Sequence, residues 1–105
     1  MTKIVCVTAC PTGIAHTYMA AEMLEQTAKQ FGVLIKVETN GAMGVENKLN
    51  AQDIKNADAV IIAADIHVEM ERFRGKPLIE IPVAKAISNA KEVLEDAISG
   101  KYHIY

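Results

Sequence analysis

The sequence predicts an α/β domain, a small doubly wound fold with four parallel strands and flanking helices. Two observations carry this. Short, wholly apolar runs rich in β-branched residues recur along the chain, and such runs read as strands buried on both faces. Between them lie stretches whose apolar residues recur every three or four positions. Strands alternating with helices imply a parallel sheet with right-handed crossovers. No repeat, low-complexity tract or linker interrupts the pattern, so residues 1–105 read as one domain.

Ile4-Val5-Cys6-Val7-Thr8 is the first buried strand. Ala9 to Gly13 is a turn-like stretch. From Ile14 to Phe31 the pattern is helical, with Ile14, Tyr18, Ala21, Leu24, Ala28 and Phe31 at spacings of three and four, and Gly32 as C-cap. Val33 to Thr39 alternates apolar Val33, Ile35 and Val37 with polar Lys36 and Glu38, which predicts a half-exposed or edge strand. Asn40 to Gly44 reads as a loop, and residues 51–56 as a short helix. Ala59 to Ala63 is a second buried strand, and residues 65–76 a polar loop with a helical turn. Leu78 to Ile81, bounded by Pro77 and Pro82, is a fourth strand. One final helix is predicted from Val83 to Ser99, ended by Gly100.

Half the residues are hydrophobic, which is enough for one core, and the net charge is −2. No basic stripe marks a nucleic-acid surface. No apolar run approaches the ~18 residues of a membrane span. The first residues do not resemble a secretion signal. A cytoplasmic protein is therefore expected. The two cysteines, Cys6 and Cys10, would lie roughly 13 Å apart on an extended segment. A disulfide requires Cα atoms within about 7 Å, so separate roles in a reducing compartment are expected.

Ligand sites in doubly wound sheets lie at the carboxyl ends of the strands. Cys10-Pro11-Thr12-Gly13-Ile14-Ala15-His16-Thr17 occupies that position, between the first strand and a long helix. Unpaired amides and the helix macrodipole favour an anion there. The same field favours a thiolate, so Cys10 is expected to have a lowered pKa and to act as a nucleophile. Gly13 lets the backbone bend so that amides converge. Thr12 and Thr17 can donate hydroxyls to sulfur or to phosphate oxygens, or cap the helix. Cys6, inside the strand, reads as core.

The loop lacks the Lys-Ser/Thr ending of nucleotide P-loops. It is closer to the cysteine-phosphatase loop, in which five residues separate Cys from Arg-Ser/Thr. Here His16 stands at the Arg position, followed by Thr17. Arg supplies a planar, bidentate clamp on the transferring phosphoryl group. His16 cannot, so the loop should form a phosphocysteine that hydrolyses slowly, as suits a carrier.

This loop, continued by Met19-Ala20-Ala21-Glu22, resembles the active-site signature of the fructose-type enzyme IIB component of the phosphoenolpyruvate-dependent sugar phosphotransferase system. Val37-Glu38-Thr39-Asn40-Gly41, Gly44-Val45-Glu46-Asn47, Asp53-Ile54, Ala57-Asp58, Ala63-Ala64-Asp65, Arg72-Phe73 and Gly75-Lys76-Pro77 resemble its other motifs. The resemblance implies a phosphotransferase. Cys10 would take a phosphoryl group from a phosphohistidine on a IIA partner and pass it to fructose or a related sugar, held by the membrane-embedded IIC transporter. It implies a phosphate cradle at Pro11, Thr12, Gly13, Ile14, Ala15, His16 and Thr17, no cofactor, and association with the inner membrane face through IIC.

Asp65 follows the second buried strand on the same sheet edge as Cys10. It is either a general acid or a loop cap. His67 and His103 form no metal-ligand pattern with Cys10, and no metal is expected. Met19 and Met23 are either an adaptable partner surface or core. Arg72, Arg74 and Lys76 are either a patch for an acidic partner or solvated. The rival functions are a low-molecular-weight cysteine phosphatase-like hydrolase or arsenate reductase, and a flavodoxin-like binding domain. The missing Arg argues against the first, and the cysteine loop against the last.

Overall fold

The computed structural model describes residues 2–10, 15–41, 44–100 and 102–105. Its elements are β1 (Lys3–Ala9), α1 (Ala15–Phe31), β2 (Leu34–Gly41), β3 (Gly44–Glu46), α2 (Ala51–Lys55), β4 (Ala59–Ala64), a 3-10 turn (Glu71–Phe73), β5 (Pro77–Ile81), α3 (Val83–Ser88), α4 (Ala90–Ser99) and β6 (His103–Ile104). The strands form one sheet in the order β3-β2-β1-β4-β5-β6. β2, β1, β4 and β5 are mutually parallel, which is the doubly wound core expected from the sequence.

β1 has neighbours on both sides and apolar layers above and below, which explains its unbroken apolar run. Side chains alternate across a strand. Ile4, Cys6 and Cys10 join the layer under α1 and α4, with Leu24, Ile61 and Leu94. Val5 and Val7 face the opposite layer, with Ile54, Val60, Phe73 and Leu78. Helix α1 buries Thr17, Ala20, Ala21, Leu24, Thr27 and Ala28 in a stripe against the sheet. Its small residues let the helix approach closely. Gly32 follows with φ +68°, a left-handed conformation that glycine adopts without a Cβ penalty. Helix α2 begins with a reciprocal capping box, in which Asn50 accepts from the Asp53 amide and Asp53 accepts from the Asn50 amide.

Three features differ from the sequence expectation. First, β2 continues through Asn40 and Gly41, because β3 returns antiparallel and pairs Thr39 with Glu46 and Gly41 with Gly44. Second, β6 pairs antiparallel with β5. Both added edge strands are two or three residues long and exposed, too short to show a period. Third, the final helix is two helices. Asn89 leaves helical geometry at φ −146°, ψ 42°. Ser88 and Asn89 both compete with backbone hydrogen bonds through their side chains. Ser88 Oγ donates to the Ala84 carbonyl at 2.9 Å, and Asn89 Nδ2 donates to Glu92.

Candidate active site

The chain leaves β1 through α1 to reach β2 on one side, then returns from β3 through α2 to β4 on the other. The carboxyl end of β1 is therefore the switch point of the sheet, the position at which such folds open a crevice. Cys10 stands there, one residue past β1, with only 8% of its surface exposed. No disulfide joins it to Cys6. Pro11, Thr12, Gly13 and Ile14, expected in the phosphate cradle, lie outside the described residues. The other three cradle residues open α1. Ala15 and His16 are exposed, whereas Thr17 is fully buried and its hydroxyl has no hydrogen-bond partner among the described residues.

Asp65 extends the pairing of β4 with β1, its amide donating to the Ala9 carbonyl at 3.0 Å. Its Oδ1 accepts from the first amide of α3, on Val83, at 3.2 Å. This contact ties the end of β1 to the start of α3. Asp65 and His16 nonetheless face one groove of about 500 Å³, floored by Met19, Ala84 and Ile87. Met19 is 46% exposed and Met23 37%, so both belong to the surface rather than the core.

On the opposite face a cleft of about 320 Å³ reaches Ala9 from between the β2–β3 hairpin and the loop after β4. It is lined by an ion pair between buried Glu38 and half-buried Arg72. Glu38, 2% exposed, receives Arg72 Nη1 on Oε1 at 2.8 Å and Nη2 on Oε2 at 2.6 Å. The Leu49 amide donates to Oε1 at 2.9 Å and Asn40 Nδ2 to Oε2 at 3.2 Å. The Arg72 guanidinium also lies 4.8 Å from the Phe73 ring centre. Burial pushes the Glu38 carboxyl up. The hydrogen bonds from Arg72, Leu49 and Asn40, with the charge of Arg72, outweigh burial and hold it below the ordinary carboxylate value. The strand pattern puts Glu38 on a polar face, and the sequence sets Arg72 beside Arg74 and Lys76. The structure separates that cluster. Arg72 turns inward, Arg74 pairs with Glu71 at 2.9 Å, and Lys76 Nζ donates to the Lys55 and Ala57 carbonyls behind α2. Nothing local links Glu38 to a partner 34 positions away; only the tertiary fold does.

Cys6 is wholly buried, and burial, with Glu25 as a lesser influence, pushes its thiol far above the ordinary range. It is core, as its place within the apolar run implied. Among the described residues no group of three His, Cys, Asp or Glu side chains could hold a metal ion. No described helix is long and apolar enough to cross a membrane.

The fold and the thiol at its switch point define a class: small doubly wound α/β proteins that carry a cysteine between the first strand and first helix. Comparison with known proteins narrows it. The family model described as "PTS system, Lactose/Cellobiose specific IIB subunit" matches residues 5–96. The fructose-specific EIIABC component of Bacillus subtilis is 54% identical over 103 residues, covering 98% of this chain and 16% of that protein. The fructose-like EIIB component 2 of Escherichia coli K12 is 50% identical over 95 residues, 90% of each chain. The solved structure of a domain of fruA from Bacillus subtilis superposes with a TM-score of 0.93 at 52% identity, covering 99% of this chain and 100% of that one. The chain belongs to the IIB family of the sugar phosphotransferase system, on its fructose-type branch. It spans about one-sixth of the fused Bacillus relative and nearly all of the separate Escherichia component.

Proposed function

We propose that this chain is a single-domain phosphoryl carrier, a protein-phosphocysteine–sugar phosphotransferase acting through Cys10. The observation that carries the reading is the position of Cys10, at the switch point between β1 and α1, in a chain of the IIB family. The thiolate sulfur attacks the phosphorus of a phosphohistidine on a IIA partner. The N–P bond breaks and the imidazole leaves with the electron pair. A sugar hydroxyl, presented by a IIC transporter, then attacks the phosphorus of phosphocysteine. The S–P bond breaks, the thiolate returns, and the hydroxyl proton passes to solvent. The fused relatives named EIIABC support a IIA donor and a IIC acceptor. Fructose or a related sugar is the acceptor we favour, because the relatives carry that name. The protein would work in the cytoplasm, against the inner membrane face.

The residues from Pro11 to Thr17 form the phosphate cradle in this reading. The buried hydroxyl of Thr17 is available to a phosphoryl oxygen, and the amides at the start of α1 favour the dianion. His16 stands where a phosphatase loop would use arginine, so attack of water on the adduct lacks the bidentate clamp that stabilises its transition state, and hydrolysis stays slow. Incubation with phosphorylated IIA, followed by peptide mass spectrometry, tests this. A long-lived phosphoryl group on Cys10, absent from Cys10→Ser, is expected. Fast hydrolysis of a small aryl phosphate with no lasting adduct would favour the phosphatase instead.

A further inference from the structure

The Glu38–Arg72 pair joins three segments that are remote in sequence. Glu38 belongs to β2. Arg72 belongs to the 3-10 turn that follows β4. Between them they hold both backbone groups of Leu49, just beyond β3: Glu38 accepts from its amide at 2.9 Å, and Arg72 Nη1 lies 3.4 Å from its carbonyl. The segments so tied are the walls of the cleft that reaches Ala9, next to Cys10. Val45 and Lys48 stand on one side, Ile66 and His67 on the other, and the pair also lines it. Burying the Glu38 carboxylate against a part-exposed Arg72 is a costly way to hold three segments together. Replacing such a pair with apolar side chains of similar volume is often neutral or stabilising. Its geometry therefore calls for a reason other than stability. Bidentate contact fixes both distance and angle, as apolar packing does not.

We propose that Glu38 and Arg72 are positioning residues for the Cys10 reaction. They set the separation between the Lys48 and Ile66–His67 walls, and so the seat for the part of a donor protein that must close around the carboxyl end of β1. This rests on the carrier reading above. The role assigned to the pair is positional, not contact with the phosphoryl group. The pair acts by shaping the surface that a macromolecular donor meets and a small reagent does not.

Two variants separate this from plain scaffolding. Glu38→Leu with Arg72→Met replaces the pair by apolar volume. Arg72→Lys keeps the charge but loses the planar fork. For each, thermal unfolding, the rate of Cys10 alkylation by iodoacetamide and the KM for phosphorylated IIA are measured. Alkylation is expected to stay within twofold of wild type, while KM rises about tenfold or more, a loss typical of misplacement rather than of lost chemistry. If the double variant does not fold, Arg72→Lys decides. Wild-type KM in a folded variant would overturn the proposal, and so would alkylation falling in parallel with transfer. Failure of wild-type protein to take phosphate on Cys10 would instead sink the carrier reading, and the two failures are thus distinguishable.

Discussion

Cys6 on β1 and Cys10 one residue beyond it belong to the same apolar layer and are both buried, at 0% and 8% exposure. Burial does not tell them apart; their surroundings along β1 do. Cys6 is flanked in register by Val37 on β2 and Ile61 on β4, with apolar side chains on its face. Nothing there solvates a charge. Cys10 stands one residue beyond β1, next to Ala9, which lines the cleft over Glu38 and Arg72. The comparison teaches that place along the strand, rather than burial or residue type, separates the two thiols.

Thiol chemistry gives the widest separation. Each pKa unit changes the thiolate fraction tenfold. Near neutral pH, Cys10 is therefore expected to react with iodoacetamide about a hundredfold faster than Cys6 or more, followed by peptide mass spectrometry under native conditions. Comparable, slow labelling of both would remove the argument from the start of α1. Denaturant should abolish the difference, since it arises from the fold.

Substitution then asks the opposite question, what each position contributes to stability. Cys6→Ser buries a hydroxyl with no partner in an apolar layer, at a cost of about 1–3 kcal/mol. In a domain of this size that lowers Tm by roughly 4–8 °C per kcal/mol. Phosphoryl transfer by the folded protein should stay within twofold of wild type. A Cys6→Ser protein of normal stability but impaired transfer would place Cys6 in the site rather than the core.

Much of this contrast was legible in the sequence, because it rests on local signals. The unbroken apolar run named β1, the three-and-four spacing named α1, and the junction between them named Cys10. Glu38 shows where such reading stops. Its alternation with Val37 assigned it to a wet face, but the chain continues past Thr39, turns back as β3 and brings Leu49 and Arg72 over it. A buried carboxylate can be recognised only with its partner, and that partner is supplied by register and crossover, not by neighbours. The break at Asn89 was missed for a related reason. Ala86, Ala90, Val93 and Ala97 keep helical spacing straight through it.

Thr8 locates the boundary between the two regions. It lies midway between the cysteines, on the same face by strand alternation, paired with Thr39 on β2 and Ala63 on β4. It is fully buried, and its hydroxyl has no partner among the described residues. An orphaned buried hydroxyl is a standing cost, and an apolar isostere removes it. Thr8→Val is therefore expected to stabilise the protein by up to about 1 kcal/mol, read from urea midpoints at constant m-value. Its transfer rate should stay within twofold of wild type, which would confine the working edge of β1 to Cys10 and the residues beyond it. A fall in transfer without a fall in stability would show that the Thr8 hydroxyl serves the phosphorylated state. The reactive region would then extend two residues down the strand, leaving Cys6 as the first residue on this face that belongs to the core alone.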